Sequence, residues 1–337
     1  MSLLPYLHRA SAGEHLTAQE AYEAMSVLLA GAASDAAIAA FLVALKMKGE
    51  TAAELAGFAR AMRERMIEVD AGADVIDTCG TGGDGSGTFN ISTAAALVMA
   101  GAGARIAKHG NRSLASASGS ADVLEALGVR IATTPEESAW AVREIGIGFL
   151  FAPHHHPAMK FAQPVRRELK MRTVFNLLGP LANPARPQAQ LIGAPSASAA
   201  RLMAEALAQL GIRRAFVVHG HGGLDEISTT GPTRVWDVAG GSVVEHEWTP
   251  HSFGLGIDEA KALAGGDPAR NAEIIRAILA GETGPPRNIV LANAAAGLVL
   301  AGLAADLRAG VGLAAQAIDS GVASAKLERL AKHFPQF

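Results

Sequence analysis

The sequence predicts an α/β protein: a small all-helical N-terminal domain, then a larger α/β domain with a mostly parallel central sheet flanked by helices. Three observations carry that reading. From residue 17 to about 66, apolar residues recur at three- and four-residue spacing with no strand-like run between them. Beyond Asp70, short apolar runs alternate with helical stretches, the pattern of a parallel sheet. Those runs end in glycine-rich or polar turns, and in such sheets ligands sit at the carboxyl ends of the strands.

In the first region Ile38, Phe41, Leu42 and Leu45 mark one apolar stripe and Leu55, Phe58 and Met62 another. Thr17 with Glu20, and Thr51 with Glu54, match the capping box that opens helices. Strands are expected over 75–78, 105–108, 148–151, 190–193 and 215–219, with 233–238 and 242–248 as a later pair. Helices are expected over 93–100, 121–127, 135–144 and 197–210. Residues 157–172 break the alternation: they read as helical, and 176–187 as a connection punctuated by Pro and Gly. That interval is either a crossover within the sheet domain or a return to the helical one. The longest apolar stretch, 289–305, contains Asn293, falls short of the roughly 20 residues of a spanning helix, and reads as a core helix.

A chain of 337 residues, half of them apolar, suffices for about two domains. A net charge of −3 and 5% aromatics disfavour a nonspecific nucleic-acid binder. The single cysteine, Cys79, excludes an intramolecular disulfide and any cysteine-based zinc or iron–sulfur site. The opening MSLLPYLHRA lacks the charged-then-apolar order of a signal peptide, so a soluble protein in a reducing, cytoplasmic setting is expected, with no membrane or nucleic-acid partner. Glycine is the outlier: there are 37, ten of them between Gly80 and Gly128.

The stretch DTCGTGGDGSGTFNIST packs five glycines into eight residues, between a strand and a helix expected to start near Asn90 to Thr93. Glycines there permit positive φ and close approach of N–H groups to an anion, and a helix N-terminus adds favourable partial charge, so phosphate is the natural ligand. Gly80, Gly82 and Gly85 match G-x-G-x-x-G, but the acid that a dinucleotide site needs about 20 residues on is missing. A Walker A reading fails because no Gly-Lys-Ser/Thr closes the loop. At the next strand end Lys108-His109-Gly110-Asn111-Arg112-Ser113, with Ser116, Ser118, Gly119 and Ser120, offers cations and neutral donors for a shared phosphate cradle. Downstream, HGGLDEIS sets Asp225 beside Glu226, and paired carboxylates next to a polyphosphate suit Mg²⁺, which shares its oxygen ligands with phosphates. His154-His155-His156 reads as structural or substrate-lining, since three consecutive side chains do not comfortably face one ion.

Taken together, GTGGDGSGTFNIST, KHGNRS, HPAMKFAQPVRREL, NLLGPLANP and GLDEIS resemble the anthranilate phosphoribosyltransferase family in order and spacing, over essentially the whole chain. The resemblance implies transfer of the 5-phosphoribosyl group from phosphoribosyl pyrophosphate to the amine of anthranilate, releasing pyrophosphate, in tryptophan biosynthesis. It implies a helical domain, residues 1–70 joined by about 157–184, that carries a homodimer contact. An α/β domain, 71–156 and 185–337, binds the donor. By motif the donor is assigned Gly80, Gly83, Asp84, Thr88, Asn90, Ile91, Ser92, Thr93, Lys108, His109, Gly110, Asn111, Arg112, Ser113, Ser116 and Ser120. Anthranilate is assigned Gly80, His109, Asn111, His156, Arg166 and Gly179, with Arg166 facing its carboxylate. Mg²⁺, two ions per monomer, is assigned Ser92, Asp225 and Glu226.

Lys108, Asn111 and Arg166 are the expected catalytic residues. Lys108 and Mg²⁺ neutralise the departing pyrophosphate, while Asn111 and Arg166 position an amine that is nucleophilic without a strong base. The chain departs from the common pattern at Ala115 and Ala117, where a serine and a lysine are frequent, and at Gly222, where an acid is. Three other readings rank lower. A pyrimidine nucleoside phosphorylase has little use for Asp225 and Glu226, the missing acid disfavours a nicotinamide dehydrogenase, and the net charge disfavours a nucleic-acid-binding paralogue.

Overall fold

A computed structural model describes residues 2–113 and 117–336. Four helices open the chain: α1 (Leu4–Ser11), α2 (Ala18–Leu29), α3 (Asp35–Lys48) and α4 (Ala52–Arg63). Both expected capping boxes form. The two stripes are buried, and Phe41 meets Phe58 edge to face with ring centres 6.2 Å apart. Glu54 does more than cap. Wholly buried, it accepts from Leu16 N (2.8 Å), Thr51 N (2.8 Å) and Lys48 Nζ (2.7 Å), so one carboxylate ties the entry to α2 to the end of α3 and the start of α4.

All seven expected strands are present: β1 (Val75–Gly80), β2 (Arg105–Gly110), β3 (Ile147–Phe151), β4 (Ala189–Gly193), β5 (Arg214–His219), β6 (Thr233–Ala239) and β7 (Ser242–Trp248). They form one sheet in the order β3-β2-β1-β4-β5-β6-β7. The first five strands are parallel, and β6 and β7 add an antiparallel edge. From β1 the chain builds β2 and β3 to one side, then returns to place β4 on the other. The gap between the carboxyl ends of β1 and β4 is therefore a topological switch point, where open α/β sheets bind ligands.

Helices α5 (Ile91–Gly101), α6 (Ser120–Ala126) and α7 (Pro135–Trp140) precede β3, and α8 (Ala152–His155), α9 (Gln163–Leu169) and α10 (Phe175–Leu181) follow it. After β4 comes α11 (Ala197–Gln209). The chain closes with α12 (Pro268–Leu279), α13 (Pro285–Leu300), α14 (Leu307–Asp319) and α15 (Val322–His333). α5 and α13 are buried on nearly every face, and their alanines and glycines permit close packing: a Cβ on Gly297 would sit 2.2 Å from Met99 Cε. No described helix is long and apolar enough to cross a membrane.

Two expectations change. The helix expected over 135–144 is α7 followed by a π-helical turn, Ala141–Ile145, that closes on left-handed Gly146 (φ 96°). The connection expected over 176–187 begins as α10, which contains Pro180. A proline near a helix end forfeits one N–H bond and leaves the preceding turn intact, and α10 stops one residue later. The open interval packs on the helical bundle: α9 lies on α3, Lys46 Nζ donates to Arg172 O (2.9 Å), and Arg63 Nε donates to Leu181 O (2.7 Å).

Replacing Glu54 with Ala would strand the Lys48 ammonium, whose side chain is only 3% exposed. The expected loss in unfolding free energy is about 3–5 kcal/mol, read by denaturant titration.

Candidate active site

A cavity of about 560 Å³ opens at the carboxyl ends of β1 and β2. Its walls are the loop after β1, residues 108–113 and 117–120, side chains from α8 to α10, and the Asp225-Glu226 turn. The floor is built by absent side chains. Gly80 and Gly193 face each other in register at the ends of β1 and β4; a Cβ on Gly80 would lie 2.5 Å from Asp225 Oδ2, and one on Gly193 only 1.5 Å from Asp225 O. The two glycines make the slot into which Asp225 fits.

Asp225 Oδ2 accepts from Gly82 N (2.7 Å), and its own N–H donates to Asp84 Oδ2 (3.3 Å). Glu226 Oε1 accepts from Ser92 N (3.1 Å) in the first turn of α5. Both carboxyls are buried. Burial, then the nearby Asp84, pushes Asp225 up to about 7; burial, then Asp225, pushes Glu226 up to about 8. Two adjacent buried carboxylates resist ionisation until a cation joins them. No group of three or more His, Cys, Asp or Glu is arranged to hold a metal ion among the described residues. The pair thus offers two carboxylates and leaves the remaining positions to water and substrate oxygens, which fits Mg²⁺ at a phosphate site.

Lys108 lies buried beside this pair. Its Nζ donates to Thr78 O (2.7 Å) and Ser92 Oγ (3.3 Å), which leaves one of its three protons for a ligand. Beneath it Asp77 is wholly buried, accepting from His109 N (3.3 Å) and Asn183 Nδ2 (2.8 Å); burial raises its pKa and Lys108 opposes the rise. In the β1 loop Gly82, Gly83, Gly85 and Gly87 all have positive φ, and Gly87 O accepts from Gly265 N (2.9 Å). Thr88 bridges to Ala264.

Several expected ligand groups are otherwise engaged. Asn90 sits at the cap position of α5 but makes no side-chain cap bond. Its amide instead joins Ser118 (3.1 Å) and Asn271 (2.9 Å), linking both loops to α12. The Ile91 side chain belongs to the core, so its main chain alone remains for a ligand. Thr93 is buried with its hydroxyl unpaired. The Arg112 guanidinium is held by Asp122 (2.9 Å) and Glu125 (2.5 Å), neutralising the charge expected to face phosphate. Asp122 also takes the N–H groups of Ser113 (3.1 Å) and Gly119 (2.8 Å), because it serves as the N-terminal acid of α6. Asn111 bonds Arg112 N (2.7 Å) through Oδ1, and its carbonyl accepts from Ser120 Oγ (3.4 Å). Ser116 and Ala115 lie outside the described residues.

The histidine run splits. His154 is exposed, His155 Nδ1 meets Ile67 O (3.2 Å), and His156 reaches the cavity with its ring 5.1 Å from that of His109. His109 Nδ1 faces Gly179 O (3.2 Å), and both Nε2 atoms are buried and unpaired. Burial drives both rings towards the neutral form, His156 down to about 4. Arg166, on α9, lies half-buried over the Phe175 ring at 5.3 Å. It has no carboxylate partner among the described residues, and burial lowers its pKa. Arg172, Asn183 and Asn271 were not anticipated. Each stands far from the glycine loops in sequence; Asn183 lies within NLLGPLANP but was given no role there, and only the fold brings the three in.

A helical bundle beside a mostly parallel sheet, with a cavity at the switch point lined by glycine-rich loops, Lys108 and an acidic pair, is the architecture of a glycosyl transferase. Residues 72–324 match the α/β domain of the glycosyl transferase family, and residues 4–66 its helical bundle domain. The chain is 59% identical over 334 residues to the anthranilate phosphoribosyltransferase of Solibacter usitatus, covering 98% of each. It superposes on the Thermus thermophilus anthranilate phosphoribosyltransferase with a TM-score of 0.92 at 46% identity, covering 97% of this chain and 98% of that one. On the Saccharomyces cerevisiae enzyme in complex with PRPP and Mg the TM-score is 0.88 at 30% identity, covering 98% and 97%. The chain belongs to the anthranilate phosphoribosyltransferase family.

Because both acidic groups titrate higher folded than at their ordinary values of 3.8 and 4.5, their contribution to stability is present in full at low pH and is lost as pH rises. In chelator the melting temperature should therefore fall from about pH 4 to 8. Asp225→Asn with Glu226→Gln should flatten that dependence.

Proposed function

We infer that this protein transfers the 5-phosphoribosyl group of phosphoribosyl pyrophosphate to the amine of anthranilate, releasing pyrophosphate, in tryptophan biosynthesis. The observation that carries the reading is Lys108 standing beside the buried Asp225-Glu226 pair at the switch point, next to a second region where Arg166 has no acidic partner among the described residues. The first region suits a pyrophosphate and its cation, and the second an aromatic carboxylate. The bland alternative, a solvated acidic turn, does not suit carboxyls at 8% and 7% exposure.

Mg²⁺ held by Asp225 and Glu226 would supply positive charge at the pyrophosphate oxygens. Lys108 Nζ, fixed by Thr78 O and Ser92 Oγ, adds charge where the pyrophosphate departs as the sugar becomes oxocarbenium-like. Arg166 pairs with the anthranilate carboxylate, and neutral His109 and His156 line the ring's surroundings without competing for it. Asn111 and the main chain at 110–113 orient the ribosyl phosphate against the amine. No strong base is needed, because the aromatic amine attacks in its neutral form and loses its proton after the C–N bond forms.

The wider reading includes two Mg²⁺ ions per monomer with Ser92 near one of them, a homodimer formed through the helical domain, and a cytoplasmic location. Support for the dimer comes from Met47 and Leu4, which are 82% and 49% exposed on that domain.

Purified protein mixed with anthranilate, phosphoribosyl pyrophosphate and Mg²⁺ should consume anthranilate. Consumption of another aromatic amine or a nucleobase instead would keep the fold and reject the acceptor. Arg166→Ala should raise KM for anthranilate roughly 10- to 100-fold, the worth of a charge-assisted bond, with donor KM little changed. Unchanged turnover and Mg²⁺ dependence in Asp225→Asn with Glu226→Gln would refute the metal assignment.

A further inference from the structure

Arg172 lies between α9 and α10, in the segment that packs on the helical bundle, yet its side chain reaches the glycine-rich loop of the sheet domain. Nη1 donates to Gly82 O (2.9 Å) and Gly83 O (2.7 Å), while Lys46 Nζ on α3 holds the Arg172 carbonyl (2.9 Å). The two carbonyls belong to consecutive glycines with φ 74° and 67°. That conformation turns the Gly82 N–H inwards to Asp225 Oδ2 at 2.7 Å. A continuous line of bonds therefore runs from α3 through Arg172 and Gly82 to the acidic pair. A second observation points to a missing partner: Arg172 lines the cavity, and its buried Nη2 has no acceptor among the described residues. An unpaired guanidinium N–H beside a loop built for anions is satisfied when an anionic oxygen arrives.

Resting on the donor reading above, we propose that Arg172 is a positioning residue of the phosphoribosyl pyrophosphate site. Its guanidinium fixes the two left-handed glycines that orient Asp225, and Nη2 receives an oxygen of the bound donor. Lys46 on α3 holds the Arg172 main chain, so the side chain reaches the loop from a fixed point. A lysine keeps the charge but has one nitrogen, where the guanidinium holds both carbonyls through Nη1 and presents Nη2 separately, and a glutamine keeps a donor but no charge.

The test compares wild type, Arg172→Gln and Arg172→Lys by calorimetric titration with phosphoribosyl pyrophosphate in Mg²⁺, by Mg²⁺ half-saturation of turnover, by both KM values and by thermal melting. Donor affinity is expected to fall about tenfold or more in Arg172→Gln, the loss of one charge-assisted contact, with Arg172→Lys between it and wild type. Mg²⁺ half-saturation should rise in parallel, while anthranilate KM and the melting temperature stay near wild type. Wild-type donor affinity in Arg172→Gln would overturn the proposal, as would an equal loss for both substrates with a lowered melting temperature. Wild type that binds no phosphoribosyl pyrophosphate would overturn the donor reading and Arg172's role with it. Donor binding that depends on Arg172 in a protein inert towards anthranilate would support the role and reject only the acceptor.

Discussion

Placing two adjacent, largely buried carboxylates at the edge of one cavity is the constraint around which the site is organised. Isolated buried anions are costly, and Asp225 and Glu226 are tolerated because main-chain N–H groups from Gly82 and Ser92 meet them and a cationic ligand can share them. The slot exists only because β1 and β4 both end in glycine at the same register. Side chains at either position would evict Asp225. The acidic pair, the glycine ends and the strand order are therefore one requirement expressed three ways.

Cations around the pair are few and differently employed. Lys108 is directed by a carbonyl and a hydroxyl, with Asp77 buried below it, so its charge stands at a fixed point. Arg112 looks equivalent in the sequence but is drawn off by Asp122 and Glu125. Arg166 and Arg172 come from the opposite wall: Arg166 has no carboxylate partner among the described residues, while Arg172 gives Nη1 to two carbonyls and keeps Nη2 unpaired. A near-neutral chain can thus present a strongly polar cavity, because local placement sets the field a ligand meets.

The helical bundle contributes through the segment that returns to it. Residues 157–184 leave the sheet after β3, pack on α3 and α4, and rejoin the sheet at β4, carrying Arg166, Arg172 and the Gly179 carbonyl past the cavity on the way. Asn183 closes the excursion by bonding both Asp77 and the Ala107 carbonyl at 2.8 Å. The cavity wall that carries Arg166 is therefore fastened to β1 and β2, whose ends form the opposite side.

The sequence alone determined every strand, the helical opening, both capping boxes and the two loops that form the cavity, because periodicity, caps and glycine turns are local properties of a chain. It misread 176–187, since Pro180 usually breaks a helix and only its place beside the last residue of α10 makes it harmless. It did not announce that the Asn90 amide, the Arg112 guanidinium and the Ser113 N–H would be engaged by Ser118, Asp122 and Glu125. It gave no sign of the bonds made by Arg172, Asn183 or Asn271, although Asn183 falls within NLLGPLANP. Those partnerships join residues up to 181 positions apart, and residue type says what a group can bond but not what it will meet. The tertiary structure alone decided that, because each hydrogen-bonding group is claimed by whichever neighbour the packing brings within 3 Å.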